Sequence, residues 1–178
     1  MIIEDVETIQ IQIYKEFGKG RDIYMSINNK LKALFEDKET IKIVSNQGED
    51  GVINSTPKGS LEITGEEELS YVEILESSRS YKNSVYSIWF DKPVSVLIIG
   101  KNRETFLLTA SIERIHTCGE LFEKYYSRYK EIRGFDIAGV VRLKITEIRE
   151  LDLTALIEQQ KVEHPFFVHY DSIAIGGK

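Results

Sequence analysis

Two short stretches of this chain combine hydroxyls with a cation at the ends of strand-like segments. The first is Thr56-Pro57-Lys58-Gly59-Ser60. Its glycine lets backbone approach a ligand closely, and the Lys58 ammonium with the Thr56 and Ser60 hydroxyls suits an anion. The second is Ser77-Ser78-Arg79-Ser80-Tyr81-Lys82-Asn83, directly after "YVEIL". A helix starting near Ser78 would aim unpaired N–H groups and the positive end of its dipole at an anion. Arg79 adds a planar fork matched to phosphate. Either stretch alone is a common turn or helix cap. The order strand, PKGS, strand, SSRSxxxN is the specific signal.

Other constellations carry less. His164, His169 and Asp171 lie close together, but with no third histidine nearby they read as an ordered tail, and no metal is expected. No GxSxG segment marks a nucleophile elbow. Trp89 and Phe90 read as barrel core rather than a stacking platform. Tyr125, Tyr126 and Tyr129 read as helix packing or a dimer contact, and Glu66-Glu67-Glu68 as a solvated turn. Cys118 is the only cysteine, which excludes an intrachain disulfide and leaves a small structural residue.

The elements that must position the two stretches are mostly strands. "IKIVSNQ" from Ile41 is β-branched and runs into the turn "GEDG", followed by a strand around "VINST". "LSYVEIL" follows the turn "TGEEE", and "SIWFD" with "VSVLIIG" reads as a hairpin about Lys92-Pro93. "ETFLLTASIERI" alternates, with Phe106, Leu108, Ala110 and Ile112 on one face; "DIAGVVRLKITEI" does the same with Ile137, Val141, Leu143 and Ile145. Between these two lies a helix carrying Leu121, Phe122, Tyr125 and Tyr129 on one side. Ile23, Ile27, Leu31, Leu34 and Phe35 predict an earlier amphipathic helix closing near Asp37, and Leu153, Leu156 and Ile157 a last one over 152–161. Residues 2–14 fit a strand or a helix. The whole predicts a mainly β, six-stranded antiparallel barrel over 41–150 with a helical insertion at 119–133. An arm, 1–40, precedes it, and a C-terminal helix and tail, 151–178, follow.

Composition sets limits on function. The 178 residues can bury a core without a metal or disulfides. With 23 Lys and Arg against 29 Asp and Glu, the net charge of −6 disfavours a nucleic-acid partner, which needs a basic face. No apolar run approaches the ~20 residues that span a bilayer, and the first residues are acidic where a signal peptide is basic, so no membrane partner and a cytoplasmic location are expected.

Residues 41–83 resemble the pyridoxamine 5'-phosphate oxidase-like family of FMN-binding split barrels. In small members a first strand and DG turn lead to a PKGS-like segment, and a third strand leads to an R-[ST]-x-x-N segment. Here those are Gly48–Gly51, Pro57–Ser60 and Arg79–Asn83. The likeness continues more loosely to about Ile148. It implies a Greek-key split barrel and a homodimer with FMN at the subunit interface. It also implies an oxidoreductase working through the flavin, or else a non-catalytic module for flavin, haem or deazaflavin. Carried over by position, Lys58, Ser60, Arg79 and Ser80 hold the phosphate, with Gly59 and Ser78 beside it; Asn83 braces the ribityl chain or its loop, and Thr56 lies by the ring. No substrate-phosphate residues of the vitamin B6 oxidases are found near the C-terminus, so that reaction is not expected.

Overall fold

The computed structural model describes residues 23–24 and 26–163. The readings made for 2–14 and for His164, His169 and Asp171 lie outside them. Ile23–Glu150 form one compact unit; helix α4 (Leu153–Glu163) belongs to a second and is described by itself.

The compact unit is built on one antiparallel sheet that encloses the main core, with a second, smaller cluster outside it around Tyr125. Its strands are β1 (Ile23–Tyr24), β2 (Ile41–Gln47), β3 (Ile53–Pro57), β4 (Glu62–Ile63), β5 (Glu68–Glu73), β6 (Val94–Ile99), β7 (Thr105–His116) and β8 (Gly139–Glu150). The order is β3-β2-β6-β7-β8-β5-β4, with β1 paired to β8. This is the mainly β split barrel expected from the sequence. Six of its eight strands are the segments read there; β1 and β4 have two residues each, too short to leave a period.

The core follows from the pattern. Phe106, Leu108, Ala110 and Ile112 of β7 are buried, as are Val141, Leu143 and Ile145 of β8, beside Val94, Val96 and Ile98 of β6. Each fully buried aliphatic or aromatic side chain contributes about 1.5–3 kcal/mol. Register shifts at Thr109/Ala110 and Ile112/Arg114 bend the long β7–β8 pair.

Helix α1 (Asn29–Glu36) contributes Leu31 and Leu34 to this core. It is shorter than the predicted one. The Asn28 side chain caps it by accepting from Leu31 N–H at 2.8 Å, and Ile23 instead pairs with Arg149 as a strand.

The segment "SIWFD" is a further correction. Ser87, Ile88 and Trp89 end helix α2 (Arg79–Trp89), and no β-hairpin forms there. The buried face of α2 is Ser80, Asn83, Ser84 and Ser87, at helical spacing but without one hydrocarbon side chain. A search for apolar periodicity passes over such a helix. Trp89 is 79% exposed and Phe90, stacked on Tyr86 with ring centroids 4.5 Å apart, is also exposed. Neither belongs to the core that was expected to hold them.

Helix α3 (Glu120–Arg133) lies where the insertion was read. Tyr125 is buried with Val72, Ile137 and Val140, while Leu121, Phe122, Tyr126 and Tyr129 pack around them. Its outer turn is tied to β4: the Tyr125 hydroxyl donates to Glu62, and Arg128 places Nη1 and Nη2 each 3.2 Å from the same carboxylate. Strand β5 is thereby covered on both faces, by the barrel interior and by α3. Among the described residues, no helix is long and apolar enough to cross a membrane.

Candidate functional site

The PKGS segment ends β3 as a tight turn. Leu61 N–H closes it on Lys58 C=O at 3.0 Å, and the buried Leu61 side chain anchors it in the core. Ser60 Oγ accepts from Val72 N–H at 3.0 Å, which pins the turn to β5 and leaves the hydroxyl proton to donate elsewhere. The second segment begins with a turn closed by Ser78 N–H on Leu75 C=O at 3.1 Å. Ser78 then caps α2, its Oγ accepting from Tyr81 N–H at 3.0 Å. The positive end of the helix dipole thus lies beside the PKGS turn.

These pieces meet in one cleft of about 510 Å³. Thr56, Lys58, Gly59, Ser60 and Ser78 supply its polar end. Ile74 and Leu75 after β5, with Tyr129 and Phe135 from α3 and the loop beyond it, make an apolar wall, and Arg133 adds a second cation. Gly134, in the left-handed region at φ 73°, ends α3 and turns the chain so that Phe135 follows Arg133 into the cleft.

Behind the cleft is a buried polar network. Lys58 Nζ lies 2.5 Å from Glu73 Oε1, and Ser80 Oγ donates to the same oxygen at 2.6 Å. Lys58, Ser80 and Glu73 are only 7%, 6% and 3% exposed. The Lys58 ammonium also sits 4.9 Å from the centre of the Tyr71 ring. Tyr71 Oη and Ser84 Oγ are 3.0 Å apart, and Ser84 donates to Ser80 C=O at 2.8 Å. Asn46 Nδ2 adds bonds to Ser80 C=O and Ser84 Oγ at 3.0 and 3.2 Å. Burial pushes the Tyr71 phenol well above its ordinary range, so it stays protonated. Tyr81 is also raised, first by burial and then by the charges of Glu76 and Glu73.

Arg79 faces elsewhere. It lines a second, more open recess with Gly48, Glu49, Asp50, Ser77, Lys82 and Asn83, and its guanidinium is paired with Asp50. The Asp50 carboxyl is held below its ordinary value by Val52 N–H and then by Arg79. Asn83 is buried; with its amide oxygen and nitrogen exchanged it accepts from Gly48 N–H at 3.3 Å and donates to Arg79 C=O at 3.2 Å, which satisfies both ends. A Cβ at Gly48 would come within 2.8 Å of that amide, so a glycine is needed there.

The structure therefore brings Lys58, Gly59, Ser60, Thr56, Ser78 and Ser80 together, five on the cleft and Ser80 just behind it. Arg79 and Asn83 lie on the other side of the start of α2. Glu73, Tyr129, Arg133 and Phe135 were missed. Glu73 shares a strand face with Tyr71 at i, i+2, the one sequence signal that would have turned it inward. The other three needed the fold.

No family profile and no curated protein matches the chain. Solved structures do. HupZ from Group A Streptococcus aligns at TM-score 0.59 with 17% identity, covering 70% of this chain and 94% of that one. A chain provisionally assigned as a pyridoxamine 5'-phosphate oxidase from Lactobacillus delbrueckii aligns at 0.57 with 19% identity, covering 72% and 97%. An FMN-binding protein from Syntrophomonas wolfei aligns at 0.55 with 12% identity, covering 83% and 97%. The fold recurs at 0.50 in an F420 reductase and at 0.51 in HutZ, the haem storage protein of Vibrio cholerae. The chain has the pyridoxamine 5'-phosphate oxidase-like split-barrel fold, as the order of its two motifs implied.

Proposed function

We propose that the chain is a flavoprotein that holds FMN in the 510 Å³ cleft and serves as an oxidoreductase or electron carrier. The observation that carries this reading is that the PKGS turn and the N-terminus of α2 line one cleft together with the apolar side chains of Tyr129, Phe135, Ile74 and Leu75. A cofactor with an anionic tail and a flat apolar ring needs both kinds of lining. Ser60 and Ser78 meet the phosphate, with Lys58 and Ser80 behind them, both on the Glu73 carboxylate; Gly59 lets the backbone close in, and Thr56 lies by the ring. Arg79 stands across the start of α2 from the cleft, and would join the phosphate only by giving up Asp50, an exposed pair that contributes about 0–1 kcal/mol. Asn83 braces the loop that carries Gly48. Flavin, when bound, supplies hydride or electron transfer, and the protein supplies anchoring, orientation and control of water.

The purified protein should quench FMN fluorescence on titration and release a chromophore of FMN mass on denaturation. Arg79→Ala should weaken FMN at least about tenfold; an unchanged affinity removes Arg79 from the site. Bleaching of the bound flavin by NADH or NADPH marks a reductase. The F420 reductase and haem storage protein of the same fold favour a second reading, a deazaflavin or haem module, which an absorbance spectrum separates at once. We also propose a cytoplasmic homodimer joined through exposed apolar groups such as Ile53, Trp89 and Phe90. A monomeric mass by light scattering, with flavin bound, refutes it.

A further inference from the structure

A carboxylate stands among the donors that a phosphate would take. Lys58 Nζ and Ser80 Oγ, both buried, converge on the single oxygen Oε1 of buried Glu73, at 2.5 and 2.6 Å. Among the residues lining the cleft, Lys58 and Arg133 are the cations and Glu73 is the anion. The Lys58–Glu73 pair cancels, so of the cleft's own charged side chains only Arg133 is left for a phosphate monoester that carries about −1.5 to −2 at pH 7. Like charges held within a few ångströms and away from water repel strongly. A site built only to attract a dianion would leave Lys58 unpaired and the Ser80 proton free.

We propose that Glu73 is the specificity-determining residue of the cleft. Its carboxylate occupies Lys58 and Ser80 and so weakens the hold on a dianionic tail, letting ligands with the same flat ring and less negative charge compete. The proposal rests on the flavin reading above and refines it. A dianion gains Lys58 only by displacing Glu73 from both of its donors. Riboflavin, which has the ring and the ribityl chain without the phosphate, meets no such obstacle.

The test compares FMN with riboflavin by fluorescence quenching, in wild type and in Glu73→Gln. Wild type should prefer FMN by less than about tenfold, and Glu73→Gln should raise that preference at least about tenfold by strengthening FMN alone. A wild-type preference above tenfold, or an equal change for both ligands in the variant, overturns the proposal while leaving the flavin reading standing. Binding of neither ligand by either protein overturns both. Should Glu73→Gln fail to fold, the double variant Lys58→Met/Glu73→Gln decides the matter. Its preference should stay within about threefold of wild type, since the pair it removes was already neutral; a tenfold fall means that Lys58 attracts phosphate despite Glu73, and the proposal fails.

Discussion

Removing the Lys58 ammonium should be among the most damaging single changes to this barrel. The Lys58 and Glu73 side chains are 8% and 4% exposed and 2.5 Å apart, so Lys58→Met leaves a carboxylate buried with only the Ser80 hydroxyl at 2.6 Å. Breaking a buried pair by deleting one partner costs about 3–5 kcal/mol. The remaining Ser80 bond and the good fit of a methionine stem over Tyr71 argue for the low end, about 3 kcal/mol. With a urea slope of about 1–3 kcal/mol/M, the unfolding midpoint should fall by roughly 1–3 M. Adding Glu73→Gln removes the orphaned charge, so the double variant should regain most of that loss, because replacing a whole buried pair is often neutral. Urea titration followed by far-UV circular dichroism reads all three proteins. A Lys58→Met midpoint within about 0.3 M of wild type refutes the reasoning, because a closed, desolvated pair cannot lose a partner so cheaply. A double variant no better than the single one shows that Glu73 was not the group left stranded.

Three further outcomes are expected. Gly48→Ala puts a Cβ 2.8 Å from the Asn83 amide and should cost about 1–3 kcal/mol in urea unfolding; a change under half that means the β2–β3 turn gives way freely. His116 is held below its ordinary value by burial and then by Arg142 and Arg114, and its Nε2 is buried without a partner. Its contribution to stability is therefore present above about pH 6.5 and lost as pH falls through the lowered folded value, so Tm should drop more from pH 7 to 5 in wild type than in His116→Gln; equal drops refute it. Trp89, the single tryptophan, should emit like free tryptophan only when dilution separates the dimer, and should be blue-shifted and protected from acrylamide in the dimer; a free-like signal from a dimer of measured mass takes Trp89 out of the interface.

How much of this was legible in the sequence depended on which side chains filled the buried faces. Strands β7 and β8 announce themselves because buried hydrocarbons recur at every second residue through 106–112 and 141–145; Ile137, read on the same face, instead precedes β8 and packs with Tyr125 and Val140. Helix α2 was legible only at its start, where Ser78 and the following segment carry a capping signal. Its later turns were mistaken for a strand because serines and Asn83, not leucines, face the sheet. The anion-binding end of the cleft was readable from two motifs, but its counter-charge was not. Glu73 looks like any polar residue closing a strand until α3 covers one face of β5 and the barrel takes the other. Tyr129, Arg133 and Phe135 reach the cleft from more than fifty residues beyond Ser78, a proximity that only the tertiary fold creates.

The serine-lined seat of α2 has a mechanical consequence. Hydrocarbon faces tolerate sliding, since one methyl contact is replaced by another of nearly equal worth, whereas Asn46, Ser80, Ser84 and Tyr71 meet at fixed angles and lengths. A shift of this rod by even half a residue would break several bonds at once. Its leading end, which carries Ser78 toward the cleft, is thus indexed to β2 and β5 like a key in a lock, and the aim of the helix is decided by those strands rather than by whatever arrives in the cleft.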